Sequence, residues 1–171
     1  MTHAAFLTVL QLMFPTQDPS ELARYSTEAQ ALATAHAEFL PKWPRGGTEL
    51  AAAQLTIIRF ESGNLLGVHD GSIRGPSGEV CLMQIHPTNG TWRKYSDSFE
   101  ALAGVDLEAT TACIRTGTAS LVWAANRCIG QRYRKNWAPA MMSSYHLGGQ
   151  CWASPERFKR AMAMRNLESS L

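Results

Sequence analysis

The apolar positions of this chain recur at helical spacing, and one mostly apolar segment, LAAAQLTIIRF, covers residues 50–60. Thr48 is placed to begin this helix, and Glu61 falls in its last turn, just before the terminating glycine Gly63. Upstream, the run Asp18-Pro19-Ser20-Glu21 is typical of a helix start. A helix of about five turns is predicted from there to Pro41, with apolar positions at Leu22, Tyr25, Ala29, Leu32, Ala33 and Phe39.

Most of the remaining chain also predicts helices. The first residues, AAFLTVLQLMF, lack a preceding Lys or Arg and are interrupted by Gln11, so we expect a helix of the fold rather than a signal peptide or a membrane span. Asp97 or Ser98 can cap a short helix that ends at Gly104. Asp106 can cap a long helix that runs to about Cys128 and stops at Gly130. Two more helices are predicted, one from about residues 136–139 and one from Ser154-Pro155-Glu156.

Strand signals are scarce and are confined to about residues 66–85. The pairs Asp70-Gly71 and Pro76-Ser77-Gly78 form turns, so a small irregular β-hairpin or loop region is expected there. No internal repeat or long linker divides the chain. The sequence therefore predicts a mainly α, single-domain protein over residues 1–171.

Composition agrees with one soluble globular domain. The 171 residues are 45% hydrophobic and 18% charged, enough for one sizeable core. The formal net charge is +2 and the sequence pI is about 8.4. This charge is too small to indicate nucleic-acid binding, but it is compatible with docking on an anionic polymer.

Four cysteines, Cys81, Cys113, Cys128 and Cys151, allow three ways of forming two disulfides. Cys113 and Cys128 lie on one predicted helix, where a rise of about 1.5 Å per residue places them too far apart to bond. Of the two pairings left, we favour Cys81 with Cys113 and Cys128 with Cys151. The alternative is four reduced, buried thiols. No CxxC or HxxxH spacing indicates a metal site, and we predict none.

The run Phe60-Glu61-Ser62-Gly63 is followed, after a Gly-rich stretch, by the run from Gly78 to Pro87, GEVCLMQIHP. Glu61 stands where an apolar helix ends and a loop begins, a position that can desolvate a carboxyl group. A desolvated carboxyl keeps its proton toward neutral pH, as the general acid of glycosidic cleavage must.

These motifs resemble the soluble lytic transglycosylase family and, more distantly, goose-type lysozymes. The family has Glu-Ser, then Gly-x-Gly-Leu-Met-Gln-x-x-Pro, then Ala-Tyr-Asn-x-Gly, which here reads Ser144-Tyr145-His146-Leu147-Gly148. The resemblance implies a lysozyme-like fold, with Glu61 at the end of a central helix. It covers a catalytic core at residues 48–152, between an N-terminal helical part, residues 1–45, and a C-terminal helix, residues 154–171.

The activity implied by the resemblance is peptidoglycan lytic transglycosylation with one catalytic carboxylate. Glu61 is the expected general acid and base, and 1,6-anhydroMurNAc ends are the expected product. A hydrolytic muramidase needs a second carboxylate. Glu79 is the first candidate, whereas Asp70 precedes a glycine and is read as a turn residue. The third class considered is a non-catalytic wall-binding or virion structural domain.

The other site residues also follow from the resemblance. Tyr145 is expected to orient Glu61. Substrate contacts are expected from Ser62, Met83, Gln84, His86 and His146, where Gln84 can both donate to and accept from sugar groups. Cys81 stands where the family has Gly, and Glu79 where Ala is commoner, which fits a loop held by a disulfide.

No cofactor is expected, and the expected partners are peptidoglycan glycan strands, with no nucleic acid and no transmembrane segment. A monomer is expected. Since no clear signal peptide is present, we expect a phage lysis or virion protein or a processed exported enzyme, acting in the periplasm or on the cell wall.

Overall fold

The computed structural model describes residues 1–130, 141, 145, 151 and 155–171. In this part of the chain the α-helices are α1 (His3–Met13), α2 (Pro19–Phe39), α3 (Gly47–Glu61), α4 (Leu66–His69), α5 (Leu107–Gly130) and α6 (Pro155–Ser170). Short 3₁₀ helices cover Leu40–Lys42, Gly90–Lys94 and Glu100–Leu102. The prediction of a mainly α protein is confirmed.

Helix starts follow the capping chemistry of the sequence. Asp18 Oδ1 accepts the backbone N–H of Ser20 at 2.8 Å, and Asp106 Oδ1 accepts that of Ala109 at 2.9 Å. Helix α3 begins one residue earlier than predicted, at Gly47. The predicted short helix near Ser98 is a single 3₁₀ turn at Glu100–Leu102.

The N-terminal segment is a helix of the fold, as predicted, because α1 packs along α2 and buries Phe6 and Leu10 there. Helix α2 in turn packs most extensively against α5. None of the helices in the described ranges is long and apolar enough to cross a membrane.

Helix α3 lies at the centre of the core. Every residue from Glu49 to Ile58 is buried, including Leu50, Leu55 and Ile57 at 0% exposure. Burying a side chain of this size contributes about 1.5–3 kcal/mol, so the helix is held on all sides by packing. Its principal neighbour among the helices is α6. The end of α3, where Glu61 lies, is therefore fixed by the core.

The segment from residue 66 to residue 85 contains no strand. It consists of the short helix α4, a series of turns and one antiparallel bridge between Val80 and Ile85. Of the two forms expected, a small irregular hairpin or a loop region, the structure shows a loop. We call it the bridged loop, because the single bridge between Val80 and Ile85 closes it. Five residues of this loop, Val80, Cys81, Leu82, Met83 and Ile85, are buried in the core.

The structure contains two disulfides, and both are the pairs favoured from the sequence. Cys81 bonds Cys113, with 6.2 Å between their Cα atoms, and Cys128 bonds Cys151, with 5.3 Å. The first joins the bridged loop to α5. The second joins the C-terminal end of α5 to the segment after Tyr145. The predicted helix that carries Tyr145 lies mostly outside the described residues, although Met141 and Tyr145 are themselves helical.

Candidate functional site

Glu61 is the last residue of α3, and the chain reverses direction immediately after it. Ser62 caps the helix, and its N–H donates to the Ile58 carbonyl at 3.1 Å. Gly63 and Asn64 both have left-handed backbones, with φ of 59° and 56°. Gly63 is thus the predicted terminator, since glycine adopts positive φ without steric cost.

The Ser62 hydroxyl is engaged with the backbone. It donates to the Ile58 carbonyl at 2.8 Å and accepts the N–H of Asn64 at 3.2 Å. Only 4% of the residue is exposed. In this structure Ser62 therefore shapes the turn that follows Glu61, and a contact with substrate would need these bonds to rearrange.

A buried polar network fixes this turn to α2. Arg24 donates to the Asn64 side chain and to its carbonyl, both at 2.9 Å, and pairs with Glu28. Asn64 Nδ2 donates to Glu28 Oε2 at 2.9 Å, and His69 Nδ1 lies 3.2 Å from Glu28 Oε1. His69 Nε2 reaches Thr110 of α5 at 2.9 Å. These residues were not predicted from the sequence. The pattern that could have revealed them is a pair of charged positions on the apolar face of α2.

The Glu61 carboxylate pairs with Arg160, which comes from α6. The two side chains are 8% and 9% exposed, so the ion pair is largely removed from water. The Arg160 guanidinium also lies over the Phe60 ring, 5.4 Å from its centroid. Arg160 was not among the predicted site residues, because no local pattern links it to a glutamate ninety-nine residues away.

Tyr145 lies at the same site. Its hydroxyl donates to the Met83 carbonyl at 2.7 Å. Burial raises the pKa of Tyr145 well above 10, and the nearby Glu61 charge raises it further, while Arg160 lowers it. Glu61, Arg160 and Tyr145 are thus within electrostatic range of one another, and the bond to Met83 connects this group to the bridged loop.

The bridged loop has two residues with strained backbone. Cys81 has φ of 64° and Gln84 has φ of 47°, both in the left-handed region that favours glycine. Cys81 occupies the position where the resembled family has Gly, and its disulfide to Cys113 holds it there. The Met83 side chain is fully buried and packs against Gly117 of α5. Its carbonyl accepts the hydrogen bond of the Tyr145 hydroxyl.

Glu79 and Gln84 lie side by side above Gly75, where an added Cβ would meet both side chains. One Glu79 oxygen accepts the N–H of Ser77 at 2.9 Å, and Gln84 Nε2 donates to the Cys81 carbonyl at 3.2 Å. Both side chains are partly exposed. Glu79 and Gln84 therefore lie next to each other at the surface, and each already makes one hydrogen bond to the backbone of its own loop.

The other predicted residues are placed as follows. Asp70 accepts the backbone N–H of Ser72 at 2.8 Å, which lowers the pKa of its carboxyl and matches the turn role expected of it. His86 Nδ1 lies 2.7 Å from the Thr88 hydroxyl. His146 lies outside the described residues.

Two cavities lined by described residues lie away from Glu61. One, of about 650 Å³, is formed at the start of α3 by residues that include Arg45, Glu49 and Glu168. The other, of about 540 Å³, includes Arg93 and Arg115. In the described part of the chain, no cluster of His, Cys, Asp and Glu is arranged to hold a metal ion.

The chain was compared with protein-family models, curated proteins and solved structures. None of the three comparisons gives a match.

Proposed function

We propose that this protein is a peptidoglycan lytic transglycosylase with a lysozyme-like fold, and that Glu61 is its catalytic acid and base. The single observation that carries the proposal is the environment of Glu61. Its carboxylate is largely buried at the end of the central helix α3, within electrostatic range of Tyr145, whose hydroxyl bonds the loop of the second motif. This supports the proposal because Tyr145 of the third motif lies within electrostatic range of Glu61 of the first and bonds Met83 of the second.

The reaction proposed for Glu61 has two proton transfers. First, the protonated carboxyl gives its proton to the oxygen that links MurNAc to GlcNAc, and the bond from that oxygen to C1 of MurNAc breaks. The resulting carboxylate then takes the proton of the MurNAc C6 hydroxyl, and that oxygen bonds to C1. The product is a 1,6-anhydroMurNAc end, and Glu61 is again protonated. No water is consumed, because the nucleophile belongs to the substrate.

The proposed role of Tyr145 is to orient Glu61. Its hydroxyl donates to the Met83 carbonyl, so its oxygen retains lone pairs that can accept from a protonated carboxyl. Its raised pKa keeps the phenol neutral at any physiological pH. Tyr145 therefore acts by position, with no proton transfer of its own.

The competing proposal is a hydrolytic muramidase, in which Glu79 activates a water. It is favoured by the partial exposure of Glu79 and by its position beside Gln84. Against it, one Glu79 oxygen is bonded to the Ser77 backbone. A non-catalytic wall-binding domain is the third proposal, and in it the pair of Glu61 with Arg160 serves only to join α3 to α6.

Mass spectrometry of digested peptidoglycan separates these proposals. Purified protein is incubated with wall sacculi, and half of the released fragments are treated with borohydride. Transglycosylation gives fragments lighter by one water that borohydride leaves unchanged. Hydrolysis gives reducing ends that borohydride reduces. Absence of any fragments, with binding retained in a sacculus pull-down, would favour the non-catalytic domain.

A further inference from the structure

Helix α6 runs antiparallel along α3 and places charged side chains near both ends of α3. Near the start of α3, the charges of Glu168 and Arg165 act on Glu49. At the other end, Arg160 pairs with Glu61. Packing between α3 and α6 is extensive, so the position of Arg160 is set by the core as well as by its own ion pair.

The Arg160 guanidinium has contacts on two sides. One is the Glu61 carboxylate and the other is the Phe60 ring, 5.4 Å from the ring centroid. A planar guanidinium held between an aromatic face and a carboxylate has little freedom, and the carboxylate it binds is restricted with it. Little water reaches this pair, so screening is weak and the interaction is strong.

We infer that Arg160 is a positioning residue for Glu61, which holds the carboxylate in one orientation and stabilises its negative charge after the proton has passed to the leaving sugar. This inference rests on the proposed function and deepens it. A single carboxyl that acts first as acid and then as base must exist as a carboxylate in the middle of the reaction. Relative to the protonated enzyme from which the first step starts, Arg160 stabilises that carboxylate stage more, which is the condition for lowering this barrier.

The same contact limits the pH range of the enzyme. A neighbouring guanidinium favours the ionised carboxyl, whereas burial favours the protonated one, so the contact with Arg160 opposes the effect of burial on Glu61. Among the described residues, the titratable or charged groups that face Glu61 include Arg160 from α6 and the Tyr145 phenol. Tyr145 stays neutral in this range, so of these two groups Arg160 is the one that places a charge beside Glu61.

The test replaces Arg160 by Met, which removes the charge, and by Lys, which keeps it. Arg165→Met is the matched control, because Arg165 is an exposed arginine on the same helix. Two quantities are measured: the titration of the Glu61 carboxyl by ¹³C NMR, with its signal assigned by its loss in Glu61→Gln, and the pH profile of kcat/KM on peptidoglycan. Glu61→Gln/Arg160→Met, in which both partners are neutral, reports whether the site folds without the pair.

For Arg160→Met we expect the Glu61 titration midpoint to rise by about one to three pH units, the range typical of a carboxyl that loses an adjacent arginine. The alkaline limb of the activity profile should move by the same amount, and turnover at the acid optimum should fall. Arg160→Lys should show a smaller rise, and Arg165→Met none. If Arg160→Met does not fold, the Lys variant and its smaller shift decide the question.

An unchanged Glu61 midpoint in Arg160→Met would overturn the inference, whatever the activity. A shifted midpoint with an unmoved alkaline limb would overturn the catalytic role of Arg160. A wild-type protein that cleaves no glycan at any pH, with a shifted midpoint in the variant, would overturn the proposed function and leave the electrostatic contact standing. These failures are distinguishable because the NMR titration needs no substrate.

Discussion

At the scale of single residues, Glu61 carries the proposed chemistry, and Glu61→Gln is the most direct change. Gln has nearly the same shape but no proton to give, and loss of a general acid commonly costs about 10²–10⁴-fold in rate. We expect wall lysis by the folded variant to fall at least that far, while binding to sacculi persists. Turbidity assays and pull-downs measure the two properties.

The control for this prediction is Glu79→Gln, which removes the other candidate carboxylate. It should leave most activity in place if one carboxylate suffices. Substantial lysis by Glu61→Gln, together with loss of lysis in Glu79→Gln, would transfer the role of the acid to Glu79.

Tyr145→Phe removes only the hydroxyl that bonds the Met83 carbonyl. We expect turnover to fall about 10- to 150-fold, the equivalent of roughly 1.5–3 kcal/mol, because the hydroxyl is also proposed to accept a hydrogen bond from protonated Glu61. Stability should fall less, by about 1 kcal/mol, because the ring still packs. Kinetics and thermal melting measured on the same preparation test this. Full activity with a large drop in Tm would show that Tyr145 has only a structural role.

The residues of the site differ in how far sequence could reveal them. Glu61 and Gly63 were predictable because helix termination is local chemistry. Arg160 was not, because its contact with Glu61 depends on how α6 packs against α3, which no local pattern encodes. The bonds that join Asn64 to Arg24 and Glu28 were not predictable either, because the residues are 40 and 36 positions apart in the sequence.

At the scale of elements, the bridged loop combines a disulfide with left-handed backbone at Cys81. Removing the bond between Cys81 and Cys113 is expected to cost about 3–4 kcal/mol by the chain-entropy relation for a loop of this size. Cys81→Gly/Cys113→Ala should lose about 1 kcal/mol less than Cys81→Ala/Cys113→Ala, because Gly adopts positive φ without steric cost. Chemical denaturation of the two double variants measures the difference.

Equal stability of the two double variants would mean that the loop relaxes to an ordinary backbone once the disulfide is gone. A larger loss in the Gly variant would contradict the prediction outright.

The elements themselves were largely predictable, because Asp18, Asp106 and Gly63 act within one helical turn of where they stand. The loop around Cys81 was harder. Its five buried residues follow neither a helical nor an alternating pattern, since a single bridge and a disulfide determine which side chains face the core.

At the scale of the whole molecule, the contact between α3 and α6 makes stability depend on pH through Glu49. Burial, together with the charge of Glu168, raises the pKa of Glu49 from 4.5 to about 6. The folded state thus favours the protonated carboxyl, so this contribution is fully present below about pH 4.5 and is lost as pH rises through 6. The pKa difference corresponds to roughly 2 kcal/mol, of which we expect about 1 kcal/mol after screening by solvent.

Glu49→Gln should therefore raise the free energy of unfolding by about 1 kcal/mol at pH 7.5 or so and leave it nearly unchanged at about pH 4.5, as measured by denaturant unfolding. Glu108→Gln, at an exposed position in the first turn of α5, is the control and should show no gain in stability at neutral pH. A variant that is less stable than the parent at neutral pH would show that Glu49 makes a favourable ion pair instead.

The network that joins Arg24 and Glu28 to Asn64 and His69 bears on where a working fragment of this protein could be cut. A fragment trimmed to the region of family resemblance would retain Glu61 and both disulfides, yet it would lack α1 and α2. Asn64 would then lose its bonds to Arg24 and Glu28, which fix the turn after Glu61, and Arg160 would be missing together with α6. The first forty-five residues, which match no motif, thus supply the α2 side chains that hold the turn after Glu61 in place.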